Sequence, residues 1–216
     1  MADLEGMAIA LIGGKRVEVT TKVQQALDEG MNAETILNEG LISGMAVVGE
    51  RFRRNLIYVP EVLLAANAMK AGMALLEPIL TAAGVEPIGK VILGTVKGDL
   101  HDIGKNLVAS MLEGSGFEII DLGADVAPEK FVEAATNSKA DIICLSALLT
   151  VTMPSMKRTI EALNAAGVRE KVKVLVGGAP VTPQFAREIG ADGYGESATL
   201  AVSLARQMMA STRVHA

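Results

Sequence analysis

This chain is poor in the residue types that build redox, zinc and nucleic-acid sites. Among 216 residues there is no Trp, one Cys and two His. A single cysteine excludes an internal disulfide and any multi-cysteine zinc centre. Two histidines, one of them the penultimate His215, leave little for a hydrolytic metal site, which wants several His and carboxylate ligands. A net charge of −5, a pI near 5.2 and the lack of a Lys/Arg-rich stretch argue against a nucleic-acid surface. Neither a G-x-G-x-x-G fingerprint nor a G-K-[ST] phosphate loop occurs. The start, Met1 to Glu5, lacks the basic region of a signal peptide, and no apolar run reads as membrane-spanning. A cytoplasmic protein without membrane or nucleic-acid partners is the expectation.

What is present is small and aliphatic. Half the residues are hydrophobic but only 3% are aromatic, so Ala, Gly, Val, Leu and Met must fill the interior. The 11 Met suit gaps between helices and receive no functional role. Up to about residue 83 the pattern is helical only: Val23–Leu27, Ile36–Met45 and Val62–Leu76 carry apolar residues at a spacing near 3.6. Asn32 can cap the second of these and Pro60 suits the first turn of the third. Gly84 to Gly89 breaks the pattern as a short linker. From Lys90 onward strands alternate with helices, with strands expected at 90–96, 117–122, 141–147, 172–177 and 192–195. Helices are expected at 103–114, 128–138, 153–166, 183–189 and 197–210. Two domains follow, an all-α domain over 1–88 and a doubly wound α/β domain with a five-stranded parallel sheet over 89–216. Cys144, inside Ile142-Ile143-Cys144-Leu145, reads as a small core hydrophobe on a buried strand.

The most informative stretch is Gly98-Asp99-Leu100-His101-Asp102-Ile103-Gly104. An apolar run precedes it and an amphipathic pattern follows, which places His101 on a strand-to-helix turn, where open α/β sheets bind ligands. Neutral imidazole is a common metal ligand, and a carboxylate on its second nitrogen fixes the tautomer. A bare Asp-x-His equally fits a solvated surface loop. Forty-one residues separate Gly104 from Ser146-Ala147-Leu148, and 28 separate Leu148 from Gly177-Gly178. These elements fall at the carboxyl ends of the expected strands. A glycine pair there either ends a strand with a turn or lets backbone approach a ligand closely.

Asp-x-His-x-x-Gly, Ser-x-Leu and Gly-Gly at these intervals resemble the cobalamin-binding domain of methionine synthase, the corrinoid methyl carriers and the cobalamin mutases. Met45 to Phe52 and Tyr58 to Val62 resemble the helical cap that precedes this domain in methionine synthase and the carriers. The resemblance implies a helical cap over 1–88 and a flavodoxin-like, Rossmann-type cobalamin-binding domain over 89–216. It implies His101 as the lower axial ligand of cobalt, with Asp99 bonded to it and Thr152 at the position of the hydroxyl that completes the relay. Gly98, Leu100, Asp102, Ile103, Gly104, Ser146, Leu148, Thr150, Gly177 and Gly178 then surround the cofactor and its nucleotide tail, and Gly94 serves likewise. Tyr194 to Ala198 resembles the fifth-strand turn near the base, and Phe52, Val59 and Val62 match the apolar cover of the upper cobalt face. The implied function is a non-catalytic corrinoid subunit that carries a methyl group between a substrate-specific methyltransferase and a second one acting on tetrahydrofolate or coenzyme M. A reductive activator protein is the third implied partner. The alternative is a cobalamin-responsive regulator without catalysis.

Overall fold

Residues 3–213 are described by the computed structural model; His215 lies outside them. The chain forms two compact units, one of residues up to Pro87 with Ser110–Gly116, the other of Ile88–Ala109 with Phe117 onward.

The first unit is helical. It comprises α1 (Leu4–Ile12), α2 (Arg16–Asp28), the short α3 (Ala33–Thr35) running through a π-helical segment (Ile36–Ile42) into α4 (Ser43–Arg53), and α5 (Val59–Ala82). Asn32 caps α3 as expected, its Oδ1 accepting the N–H groups of Glu34 at 2.8 Å and Thr35 at 3.3 Å. Pro60 lies in the first turn of α5, where its missing N–H costs nothing. Small residues set the helix crossings. A Cβ on Gly44 would stand 3.2 Å from the Ala8 carbonyl oxygen, and one on Gly40 would stand 2.6 Å from Met7 Sδ. Met7, Leu11, Val23, Ile36, Leu41, Met69 and Leu76 are fully buried and form the interior. At 24 residues α5 does reach membrane-spanning length, which the linear pattern does not suggest. Val62, Ala65, Met69, Gly72, Leu76 and Leu80 recur along it as one buried stripe, the pattern of a core helix.

The second unit is an α/β sandwich. Its strands are β1 (Lys90–Thr95), β2 (Glu118–Asp121), β3 (Ile142–Ser146), β4 (Lys173–Gly177) and β5 (Gly193–Gly195). They alternate with α6 (Ile103–Glu113), α7 (Pro128–Ser138), α8 (Pro154–Ala165), α9 (Pro183–Glu188) and α10 (Ala198–Arg213), within a few residues of expectation. All pairings are parallel in the order β2-β1-β3-β4-β5, the flavodoxin-like order. The chain direction across the sheet reverses between β1 and β3, which is the ligand-binding switch point of such folds.

Register sorts the side chains by face. Leu93, Cys144, Leu175 and Gly193 are in one row and Thr95, Ser146, Gly177 and Gly195 in the next but one, so both rows face the same way. Gly94, Leu145, Val176 and Tyr194 make the row between and face the opposite way. On that opposite face Ile92, Ile143 and Val174 pack with Phe131 of α7 and Ile160 and Leu163 of α8. Fully buried Phe131 explains Gly94, since a Cβ there would lie 2.5 Å from the Phe131 ring. Gly94 therefore serves core packing rather than close approach to a ligand.

Candidate functional site

The loop that leaves β1 is built around one carboxylate. Asp99 has no exposed surface, and both its oxygens are saturated. Oδ1 accepts the His101 backbone N–H at 3.0 Å and meets His101 Nδ1 at 2.8 Å. Oδ2 accepts the N–H groups of Leu148 at 2.8 Å and Leu149 at 3.2 Å, and the Thr152 hydroxyl at 2.7 Å. That hydroxyl proton also faces the Leu149 carbonyl at 2.8 Å. Burial pushes the Asp99 carboxyl up. The bonds from Thr152, the backbone of His101 and Leu148 and the His101 ring outweigh this, holding it well below the usual carboxylate range. One ionised group thus staples the β1 loop to the β3 loop across the switch point.

An ionised carboxylate only accepts hydrogen bonds, so it assigns the His101 ring proton to Nδ1 and leaves a lone pair on Nε2. The His101 side chain is 50% exposed, and its carbonyl accepts the buried Thr95 hydroxyl at 3.2 Å. The pair is thus a fixed, electron-rich imidazole presented to solvent. Among the described residues no three His, Cys, Asp or Glu gather as ligands for a metal ion.

Around the ring lies an apolar apron. Leu100 is 75% and Ile103 78% exposed, and Leu148 and the unforeseen Leu149 and Val151 are also open. Thr150 is exposed on the same β3 loop. On the face shared by Leu93, Cys144 and Leu175, a cavity of about 330 Å³ opens between the sheet, α6 and α10. This volume falls within the roughly 300–1,000 Å³ of small-molecule sites. Gly104, Ser146, Gly177, Gly178 and Ala198 all line it, joined by Glu196 and Ser197. A Cβ on Gly104 would meet open space. Gly178 is required by the backbone, with φ at +127° and a Cβ position 1.9 Å from the Ala147 carbonyl oxygen. Gly177 has a similar cause, the Gly195 carbonyl oxygen standing 2.9 Å from its Cβ position. These two glycines thin the cavity wall because neighbouring backbone, not only a ligand, demands it.

The remaining expected residues are placed as follows. Tyr194 packs with the Phe131 core on the opposite face and is not brought to the cavity. Phe52 and Val59 are half-buried and Val62 fully buried in the helical unit. Gly98 turns the loop at φ +89°, and the Asp102 carbonyl accepts the Asn106 N–H at 2.8 Å. Cys144 is buried as expected, but at the cavity floor, and burial pushes its thiol up to about 12. Lys105 was missed. It is 3% exposed, lines the cavity, and donates to Asp121 Oδ1 and Asn106 Oδ1, each at 2.6 Å. A charged residue sharing a helix face with Val108 and Leu112 was the available signal.

A doubly wound sheet with a carboxylate-held imidazole and a deep cavity at its switch point defines a cofactor-binding α/β protein. Comparison with known proteins names the cofactor. A B12 binding domain model matches residues 89–203, and a second B12 binding domain model matches residues 3–77. Dimethylamine corrinoid protein 3 of Methanosarcina acetivorans is 43% identical over 97% of this chain and 100% of its own length. A crystal structure of a cobalamin-binding protein from Desulfitobacterium hafniense superposes with a TM-score of 0.79 at 32% identity, covering 96% of this chain and 99% of that one. The methanol:cobalamin methyltransferase complex of Methanosarcina barkeri contains a chain matching with a TM-score of 0.87 at 30% identity, over 96% of this chain and 79% of that one. The chain belongs to the corrinoid methyl-carrier proteins, the cobalamin-binding, non-catalytic subunits of multicomponent methyltransferase systems.

Proposed function

We propose that this protein holds cobalamin with His101 as the lower ligand of cobalt and carries a methyl group from a methylamine. One partner is a substrate-specific methyltransferase. A second methyltransferase receives the methyl for tetrahydrofolate or coenzyme M, a reductive activator restores the carrier, and all meet it in the cytoplasm. The observation that carries the reading is the Asp99 constellation, a buried carboxylate with five donors whose arrangement frees His101 Nε2 as a ligand. Methylamine as donor is favoured by dimethylamine and trimethylamine corrinoid proteins at 43% and 49% identity, and by 35% identity to the structure of a monomethylamine corrinoid protein against 30% to the methanol system.

The residues fit the group. Cobalamin supplies a cobalt that accepts and yields a methyl group; the protein supplies ligation and shape. Leu100, Ile103, Leu148 and Thr150 offer a broad, mostly apolar seat for a macrocycle around His101. The cavity lined by Gly104, Ser146, Gly177, Gly178 and Ala198 offers a slot for a displaced nucleotide tail. Asp99 and Thr152 orient the imidazole, and when the imidazole takes up a proton Asp99 is placed to stabilise the imidazolium.

The test is electron paramagnetic resonance of the reconstituted Co(II) protein, which should show nitrogen coupling from histidine that disappears in His101→Ala. Coupling unchanged in that variant sinks the ligand assignment. Methyl transfer from dimethylamine should require added partner methyltransferases, and turnover by the isolated protein would overturn the carrier role.

A further inference from the structure

A second carboxylate grips the histidine loop from outside. Asp125, in the turn after β2, has φ +56°, a left-handed conformation that non-glycine residues seldom adopt. Its backbone N–H donates to the Asp99 carbonyl at 2.9 Å, while its Oδ1 accepts the Gly98 N–H at 2.8 Å. Its Oδ2 accepts Lys97 Nζ at 2.9 Å. The Gly98-Asp99 dipeptide is therefore held at both ends by one residue, at the Gly98 N–H and the Asp99 carbonyl, and Asp99 in turn holds the His101 ring. The neighbouring Val96–Val126 bridge keeps the two loops parallel at this point. Gly98 itself sits at φ +89° and contributes no side chain to fix its own conformation.

We infer that Asp125 is a positioning residue for His101. It acts through the backbone of Asp99, and this rests on the reading of His101 as the lower cobalt ligand. The strained φ at Asp125 is the physical argument. Gly would relieve it and still supply the N–H, but only a short side-chain acceptor can also bind the Gly98 N–H, and Asp and Asn tolerate this conformation best. The Lys97 pair is exposed, with side chains 55% and 41% accessible, so it adds little; the geometry rests on the bond from the Gly98 N–H to the carboxylate.

The experiment compares Asp125→Ala, Asp125→Asn and Lys97→Met with the parent in two measurements. In the cofactor-free protein, Gly98 amide exchange should rise about five- to tenfold in Asp125→Ala, as expected for losing one hydrogen bond. In ¹⁵N spectra of the same sample, the share of His101 with its proton on Nδ1 should fall. In the Co(II) cobalamin protein, the histidine-coupled fraction should fall in step. Asp125→Asn keeps an acceptor and should restore all three readouts, and Lys97→Met should change none. If Asp125→Ala fails to fold, Asp125→Gly keeps the backbone conformation and carries the same expectation. Parent-like exchange and tautomer in Asp125→Ala, or an Asn variant as impaired as Ala, would overturn the inference. Absence of histidine coupling in the parent would instead overturn the lower-ligand reading, with the cofactor-free measurements still deciding the role of Asp125.

Discussion

Replacing Thr152 with Val isolates one bond on the buried carboxylate. Val keeps the β-branched shape and removes only the hydroxyl, which is 2.7 Å from Asp99 Oδ2. Oδ2 retains the N–H groups of Leu148 and Leu149, so the carboxylate is weakened rather than abandoned. A hydrogen bond to a charged acceptor contributes roughly 1.5–3 kcal/mol, and the new buried methyl returns about 0.8 kcal/mol. The net loss is about 1–2 kcal/mol at neutral pH, or roughly 0.5–1 M in urea midpoint. The pH dependence has a definite sign. The folded Asp99 carboxyl is depressed, so its contribution is complete above the ordinary value of 3.8 and is lost only as pH falls through the folded value. Loss of the hydroxyl raises that folded value, yet from pH 7 to about pH 5 the group stays ionised in both proteins, and the stability gap should hold constant. Urea unfolding read by tyrosine emission is the assay. The only tyrosines are Tyr58 and Tyr194, so a background of exposed Tyr58→Phe leaves Tyr194 to report on the α/β unit alone. Equal midpoints at pH 7, or a gap that closes by about pH 5, would refute the account of Asp99.

Gly178→Ala should lower stability by about 3 kcal/mol or more, measured by thermal unfolding, because the added Cβ meets the Ala147 carbonyl at 1.9 Å and φ is +127°. Gly104→Leu should leave the melting temperature of the cofactor-free protein unchanged or higher, since the site is open and Leu favours a helix's first turn over Gly. The same side chain projects into the cavity, so cobalamin affinity measured by titration should fall at least about tenfold. The Cys144 thiol, pushed up to about 12, should react with a disulfide reagent at pH 8 about a thousandfold more slowly in the native protein than after unfolding.

The alternation of strands and helices was legible because β1, β3 and β4 are short apolar runs next to Gly or Asp, and the helices between them restore a 3.6 spacing. α1 falls within the stretch read as helical but is not singled out, because Leu4–Ile12 is apolar almost throughout and no stripe stands out. The π-helical segment at Ile36–Ile42 has no signature in the pattern; only its backbone hydrogen bonding, as from the Ser43 N–H to the Asn38 carbonyl five residues back, reveals it. Tyr194 shows how a local motif misleads when the period is ignored. The sequence Gly193-Tyr194-Gly195 alternates by two, so if the glycines face the cavity the tyrosine must face away.

The site itself was half legible, and the division follows from which atoms do the binding. Asp99 and His101 are two residues apart in sequence and of diagnostic types, so their partnership could be read before any fold was known. The donors that make Asp99 an ion in a dry place are mostly backbone N–H groups, at His101, Leu148 and Leu149, and a backbone N–H has no letter in the sequence. Thr152 was visible only as a hydroxyl at the right interval, and Asp125 not at all, since its hold on Gly98 and Asp99 depends on a φ angle that no residue type guarantees. Burying a carboxylate without partners would cost several kcal/mol, so the fold must bring at least two loops to it at once. That requirement turns a short motif into a structural commitment: the β1 loop is stable in this form only when the β3 loop has arrived to share the charge. The imidazole is consequently fixed before any cofactor binds, and a preorganised group spends less of its binding free energy on ordering than a flexible one would.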